Sequence, residues 1–129
     1  MIRGLGIDIV DLNRIDRVWK RYGINFARRI LHPEELAELS TLSVTDEVST
    51  RFLASRFAAK EAAAKALGTG FSDGVIPQDL QIKKDVSGKP ELLLHGRAKE
   101  CQSRQGSSSA HISFSHEKSA SVAVVILED

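Results

Sequence analysis

Residues Thr45 to Gly68 read TDEVSTRFLASRFAAKEAAAKALG, the longest helical stretch in a chain of 129 residues. Thr45 is a residue type that caps helix N-termini, and Asp46 and Glu47 suit the positive end of a helix dipole. Gly68 and Gly70 are natural terminators. The second half, Ala58 to Ala66, is rich in alanine, which favours helix and lets another backbone come close. One long helix over 46–67 follows.

Outward from that helix, residues 2–10 alternate as a strand. Leu5, Ile7 and Ile9 fall on one face, with Gly6, Asp8 and Val10 on the other. Leu12 to Tyr22 has helical spacing, with Ile15, Val18, Trp19 and Tyr22 as its buried stripe and Gly23 as its stop. His32-Pro33-Glu34-Glu35 opens a second helix that runs to about Ser40. Gly68 to Pro77 is a glycine-rich loop. Leu80–Ile82 and Glu91–Leu94 pair as a hairpin through Asp85 to Gly88. Arg97 to Arg104 forms a short helix, and Gly106 to Ser109 a loop. Ala110–Ser115 and Ser119–Leu127 then make a second antiparallel pair. The expected fold is α+β, with one long helix packed on a small antiparallel sheet in a single domain spanning 1–129.

Apolar content of 42% and charged content of 27% are ordinary for a globular chain. Cys101 is the only cysteine, so no intrachain disulfide or cysteine-based metal site forms. That favours a reducing compartment. No apolar run reaches bilayer length, and the N-terminus lacks the long apolar stretch of a signal peptide. The expectation is a cytoplasmic protein with no membrane partner. Net charge is +1, yet Arg14 to Arg29 holds six basic residues against Asp16 alone. Such a patch fits either an anionic partner or a solvated helix face. Nucleic acid is disfavoured, because the chain is nearly neutral overall and aromatic residues make up only 5%.

Asp8 stands in an apolar strand, where a carboxylate must be satisfied by a salt bridge, solvent or a ligand. Phe57, Glu61 and Lys65 follow one another at i, i+4 and so share a helix face, while Lys60 points elsewhere. Magnesium prefers a few carboxylates with water and phosphate oxygens. Lysine and the amides of Gly68-Thr69-Gly70 suit phosphate. The chain lacks both the GxxxxGK[ST] and the GxGxxG loops. Spacing alone does not bring these pieces together.

Gly6-Ile7-Asp8, followed by Phe57-Ala58-Ala59-Lys60-Glu61-Ala62-Ala63-Ala64-Lys65, resembles the holo-acyl-carrier-protein synthase family of 4′-phosphopantetheinyl transferases. The second segment fits the pattern [WF]-x-x-K-E-[AS]-x-x-K without departure. The resemblance continues at Gly88-Lys89-Pro90 and Ser113-Phe114-Ser115-His116, and so covers essentially the whole chain.

The resemblance implies a magnesium-dependent transfer of phosphopantetheine from coenzyme A to a serine of acyl carrier protein, in support of fatty acid biosynthesis. Asp8 and Glu61 would hold the metal, with Glu61 also the candidate base and Lys65 on phosphate. Asp8, Glu61 and Lys65 would form the catalytic set. Arg56, Phe57, Lys65, Gly68, Thr69, Lys89, Pro90 and His116 would receive coenzyme A. Arg14, Arg17, Arg21 and Arg28 would dock the acidic carrier protein. A homotrimer is implied, with sites between subunits. The alanine-rich helix and the strand Val122–Leu127 are the expected contacts. The rival reading is a catalytically silent coenzyme A-binding module, which would not need both acids.

Overall fold

The computed structural model describes residues 1–42 and 45–129. Strand β1 (Ile2–Asp11) leads into helices α1 (Leu12–Tyr22), α2 (Ile24–Ile30), α3 (Pro33–Leu42) and the long α4 (Asp46–Leu67). A 3-10 turn at Pro77–Asp79 precedes β2 (Leu80–Lys84) and β3 (Pro90–Leu94). Helix α5 (Gly96–Arg104) and strands β4 (Ser109–His116) and β5 (Ala120–Glu128) follow. The ends of α4 are those its sequence calls for. Thr45 Oγ1 accepts the Val48 N–H at 3.2 Å, and Gly68, at φ +77°, closes the C-terminus.

Helix α4 is central because small residues let it lie against the sheet. A Cβ placed on Gly4 would meet the Ala66 carbonyl oxygen, and one on Gly6 would meet that of Ala62. Glycine on β1 and alanine on α4 are therefore two halves of one close approach. The alanines 58, 59, 62, 63, 64 and 66 are all buried against the chain's own core. The fold is α+β, with α4 packed on the antiparallel sheet β1-β5-β4 and a separate hairpin β2-β3.

Sheet register decides which residues share the helix-covered face. Asp8 pairs with Ala123 of β5, and Ala123 pairs with Phe114 of β4. Paired residues share a face, so Asp8, Ala123 and Phe114 form one row across the sheet on its helix-covered side. The opposite face carries Leu5, Ile7 and Ile9 beside Ile126, Val124 and Val122.

Three expectations need correction. A further helix, α2, occupies Ile24–Ile30 directly after Gly23, which interrupts the helical run without ending it. Tyr22 is 53% exposed rather than part of a buried stripe. The alanine face of α4 is consumed inside the chain, so it is not a surface for subunit contact.

Candidate functional site

The close approach of α4 to β1 brings Asp8 to the Glu61–Lys65 face. Lys65 Nζ donates to Asp8 Oδ1 at 3.1 Å and to the Ile7 carbonyl at 3.0 Å. The Asp8 side chain is only 16% exposed, against 53% for Lys65. The lysine thus covers a largely enclosed carboxylate from the solvent side. Glu61 lies one helical turn before Lys65. Its carboxyl is held above the usual range, first by burial and then by the Asp8 charge, with Lys65 and Arg14 acting in opposition. A carboxyl whose ionisation is disfavoured by a neighbouring carboxylate is one that a bound cation would favour. Among the described residues no group of three or more His, Cys, Asp or Glu side chains converges. A metal here would rest on Asp8 and Glu61, with its remaining oxygens from water and a phosphate. That donor set fits magnesium.

Arg56 sits five residues before Glu61, about 7.5 Å along the helix. It is 4% exposed. Its guanidinium lies 4.2 Å from the Phe52 ring centroid and 5.8 Å from that of Phe114. Nη1 donates to Ser55 Oγ at 3.0 Å, and Nη2 reaches Glu38 at 3.4 Å. Nε has no partner within the described residues, an orphaned donor in a buried place. The row Asp8–Ala123–Phe114 therefore has carboxylates at one end and a guanidinium at the other. Phe57 stands on α4 between these groups, its ring 5.6 Å from the Arg14 guanidinium. Arg14 thereby links α1 to the acids, in addition to any role on the surface.

The remaining expected residues lie at the margins. Gly68 and Gly70 already spend their N–H groups on Lys65 O and Ala64 O, at 3.0 and 3.2 Å. The reading of this loop as a cradle of three free amides is thus corrected, because two of them close the helix. Thr69 Oγ1 donates to the Gly70 carbonyl at 2.8 Å. Lys89 precedes β3 and Pro90 opens it, and β3 runs beside β4. His116 ends β4 and is exposed. No contact among the described residues joins Lys89, Pro90 or His116 to the Asp8–Lys65 pair.

Arg14, Arg17, Arg21 and Arg28 are all exposed. Beside them, Val18, Tyr22, Asn25, Phe26 and Arg29 line a surface cavity of about 750 Å³. The sequence reading found the charges but not this half-apolar hollow, because it needs α2 to form its second wall. Lys60 points away from the Glu61–Lys65 face, as its spacing requires. It is completely buried and bonded to Glu35, and no helical periodicity signals such a partner 25 residues away.

A family model described as the 4′-phosphopantetheinyl transferase superfamily matches residues 4–125. The holo-[acyl-carrier-protein] synthase of Desulfovibrio desulfuricans is 49% identical over 128 residues, covering 99% of this chain and 98% of that one. The crystal structure of the Neisseria meningitidis holo-[acyl-carrier-protein] synthase superposes with a TM-score of 0.90 at 42% identity, with full coverage of both chains. That of Bacillus anthracis, in complex with CoA (3′,5′-ADP), gives 0.82 at 38% identity and covers 100% of this chain and 98% of that one.

Proposed function

The chain belongs to the 4′-phosphopantetheinyl transferase superfamily, and from that membership we propose that it transfers the 4′-phosphopantetheine arm of coenzyme A to a serine of acyl carrier protein. The observation that carries this reading is the Asp8–Lys65 contact at 3.1 Å beside Glu61, on the helix face where phosphoryl chemistry needs oxygen ligands and a cation.

The carrier's serine oxygen bonds to the β-phosphorus of coenzyme A as the bridge to the α-phosphate breaks. Adenosine 3′,5′-bisphosphate leaves. Glu61 takes the serine proton, directly or through one water, and its raised proton affinity suits that task. Lys65 is half-exposed and swings from Asp8 to the departing phosphate oxygens. Magnesium held by Asp8 and Glu61 would polarise the phosphoryl group and offset charge on the leaving group. Arg56, Phe57, Lys65, Thr69, Lys89, Pro90 and His116 remain our proposal for the coenzyme-binding set, with Gly68 shaping the turn that carries Thr69. The exposed arginines 14, 17, 21 and 28, with the adjoining hollow, suit an acidic partner helix that also brings apolar side chains.

Assembly as a homotrimer is part of the proposal. Leu5, Ile7 and Ile9 are 65%, 61% and 70% exposed on one sheet face, an apolar patch of the kind that marks an interface. A cytoplasmic place in fatty acid synthesis agrees with the unpaired, buried Cys101. Among the described residues no helix is long and apolar enough to cross a membrane.

The test is the mass of an apo acyl carrier protein incubated with this chain, coenzyme A and magnesium. A magnesium-dependent gain of one phosphopantetheine group, lost in Asp8→Ala and Glu61→Ala, is expected. A chain that binds coenzyme A but adds no mass to several carriers is instead a silent binding module.

A further inference from the structure

Lys60 is the residue before Glu61, and none of its surface reaches solvent. Its ammonium donates to Glu35 Oε1 at 2.7 Å, to the Leu80 carbonyl at 2.7 Å and to the Pro77 carbonyl at 3.0 Å. Three donors meet three acceptors, so its capacity is filled. Glu35 is equally committed. Its Oε1 also accepts the His32 N–H at 2.8 Å, and Oε2 accepts the Ile82 N–H at 3.1 Å. One buried pair thus joins the start of α3, the middle of α4, the Pro77–Asp79 turn and β2.

The charges themselves add little net stability, because desolvating two of them offsets much of their attraction. What they supply is direction. Three hydrogen bonds on one ammonium fix both the rotation of α4 and its position along its axis. Glu61 follows Lys60 by about 100° around the same helix, so that rotation decides where its carboxylate stands relative to Asp8.

The same bonds close a ring through the backbone. From Lys60 the chain rises eight residues, about 12 Å, to Gly68. It then returns through 68–77 to deliver the Pro77 and Leu80 carbonyls back to Lys60. The far end of the glycine loop is therefore fastened one residue from Glu61.

We propose that Lys60, with Glu35, is a positioning residue of the transferase. It sets Glu61 against Asp8 and holds the 68–77 loop in the shape that receives coenzyme A. This rests on the function proposed above. Lys60 touches no substrate and acts only through Glu61 and the loop. A misplacement near 1 Å at a reacting group costs on the order of 100-fold in rate.

The test is the double variant Lys60→Met/Glu35→Gln, which removes both buried charges and keeps side-chain length. Its circular dichroism and melting temperature are measured beside kcat and the KM for each substrate, well below the melting point. The expected result is a folded protein with kcat at least about tenfold lower. The coenzyme KM rises and the carrier-protein KM stays at the parent's value, since α1 carries none of these bonds. Parental kcat and coenzyme KM in the folded variant would overturn the proposal. So would both KM values moving together in step with lost folded fraction. If the double variant does not fold, Glu35→Gln alone is read by the same criteria, and failure of both to fold makes the pair purely structural. A parent chain that transfers nothing fails at the function itself, which the parent's own assay reveals separately.

Discussion

The residue that connects chemistry to stability is Glu61. Its carboxyl binds a proton more tightly in the folded chain than in the unfolded one, because burial and the Asp8 charge both disfavour ionisation. A group raised in this way adds stability that is fully present below the ordinary carboxylate range, near pH 4, and lost as pH rises through the folded value. At neutral pH, then, ionised Glu61 costs stability. Glu61→Gln should melt at a higher temperature than the parent at pH 7 without metal, with the gap closing as the pH falls below about 4. Millimolar magnesium should raise the melting point of the parent but not of the variant, by linkage to binding. Phosphopantetheine transfer by Glu61→Gln should be lost throughout. A variant less stable than the parent at pH 7 would refute this account of the acid.

At the scale of elements, helix α1 carries two kinds of arginine that the sequence could not separate. Arg14 leans over Phe57 and lowers the proton affinity of Glu61, whereas Arg21 lies over Tyr22 at the outer end of the helix. Arg21→Glu should raise the carrier-protein KM several-fold and leave kcat and coenzyme binding unchanged. Arg14→Glu should raise the same KM and also reduce kcat, measured by steady-state kinetics with each substrate varied. Equal effects from the two would mean that Arg14 has no part in the site. Most elements, including the bounds of α1 and α4, were legible because caps and periodicity are local signals. The candidate site was legible in part, as Glu61 and Lys65 share a turn spacing. Three features were not. Helix α2 opens from Gly23 with no side-chain cap, and a glycine there reads as an end. The alternation in β1 separates two faces without saying which is inside. Here Gly4 and Gly6 turn inward because only they admit α4, and the larger Leu5, Ile7 and Ile9 are left outside. The Lys60–Glu35 pair joins residues with no periodic relation, and only the packed chain reveals it.

The whole molecule presents a sheet finished on one side only. Helix α4 covers the inner face, while the outer rows Leu5–Ile126, Ile7–Val124 and Ile9–Val122 remain apolar and open. β1 is an edge strand in the order β1-β5-β4, so the open rows reach the rim of the molecule. Asp8 lies within that strand, between Ile7 and Ile9, and its side chain points to the covered face. Anything seated on the outer rows therefore lies one strand's thickness from the acid pair. Further copies of the chain on this face would bury the open rows and hold in place the strand that carries Asp8, which is why the trimer and the site belong to one proposal. Ile7→Glu places a charge in the middle of the rows and leaves the Gly6–Ala62 contact untouched. It should sediment as a folded monomer, with an unchanged helical circular dichroism signal, and lose at least about tenfold in transfer rate. A parent that sediments as a trimer while Ile7→Glu is a fully active monomer would separate assembly from catalysis. A parent that is itself an active monomer would remove the need for assembly altogether.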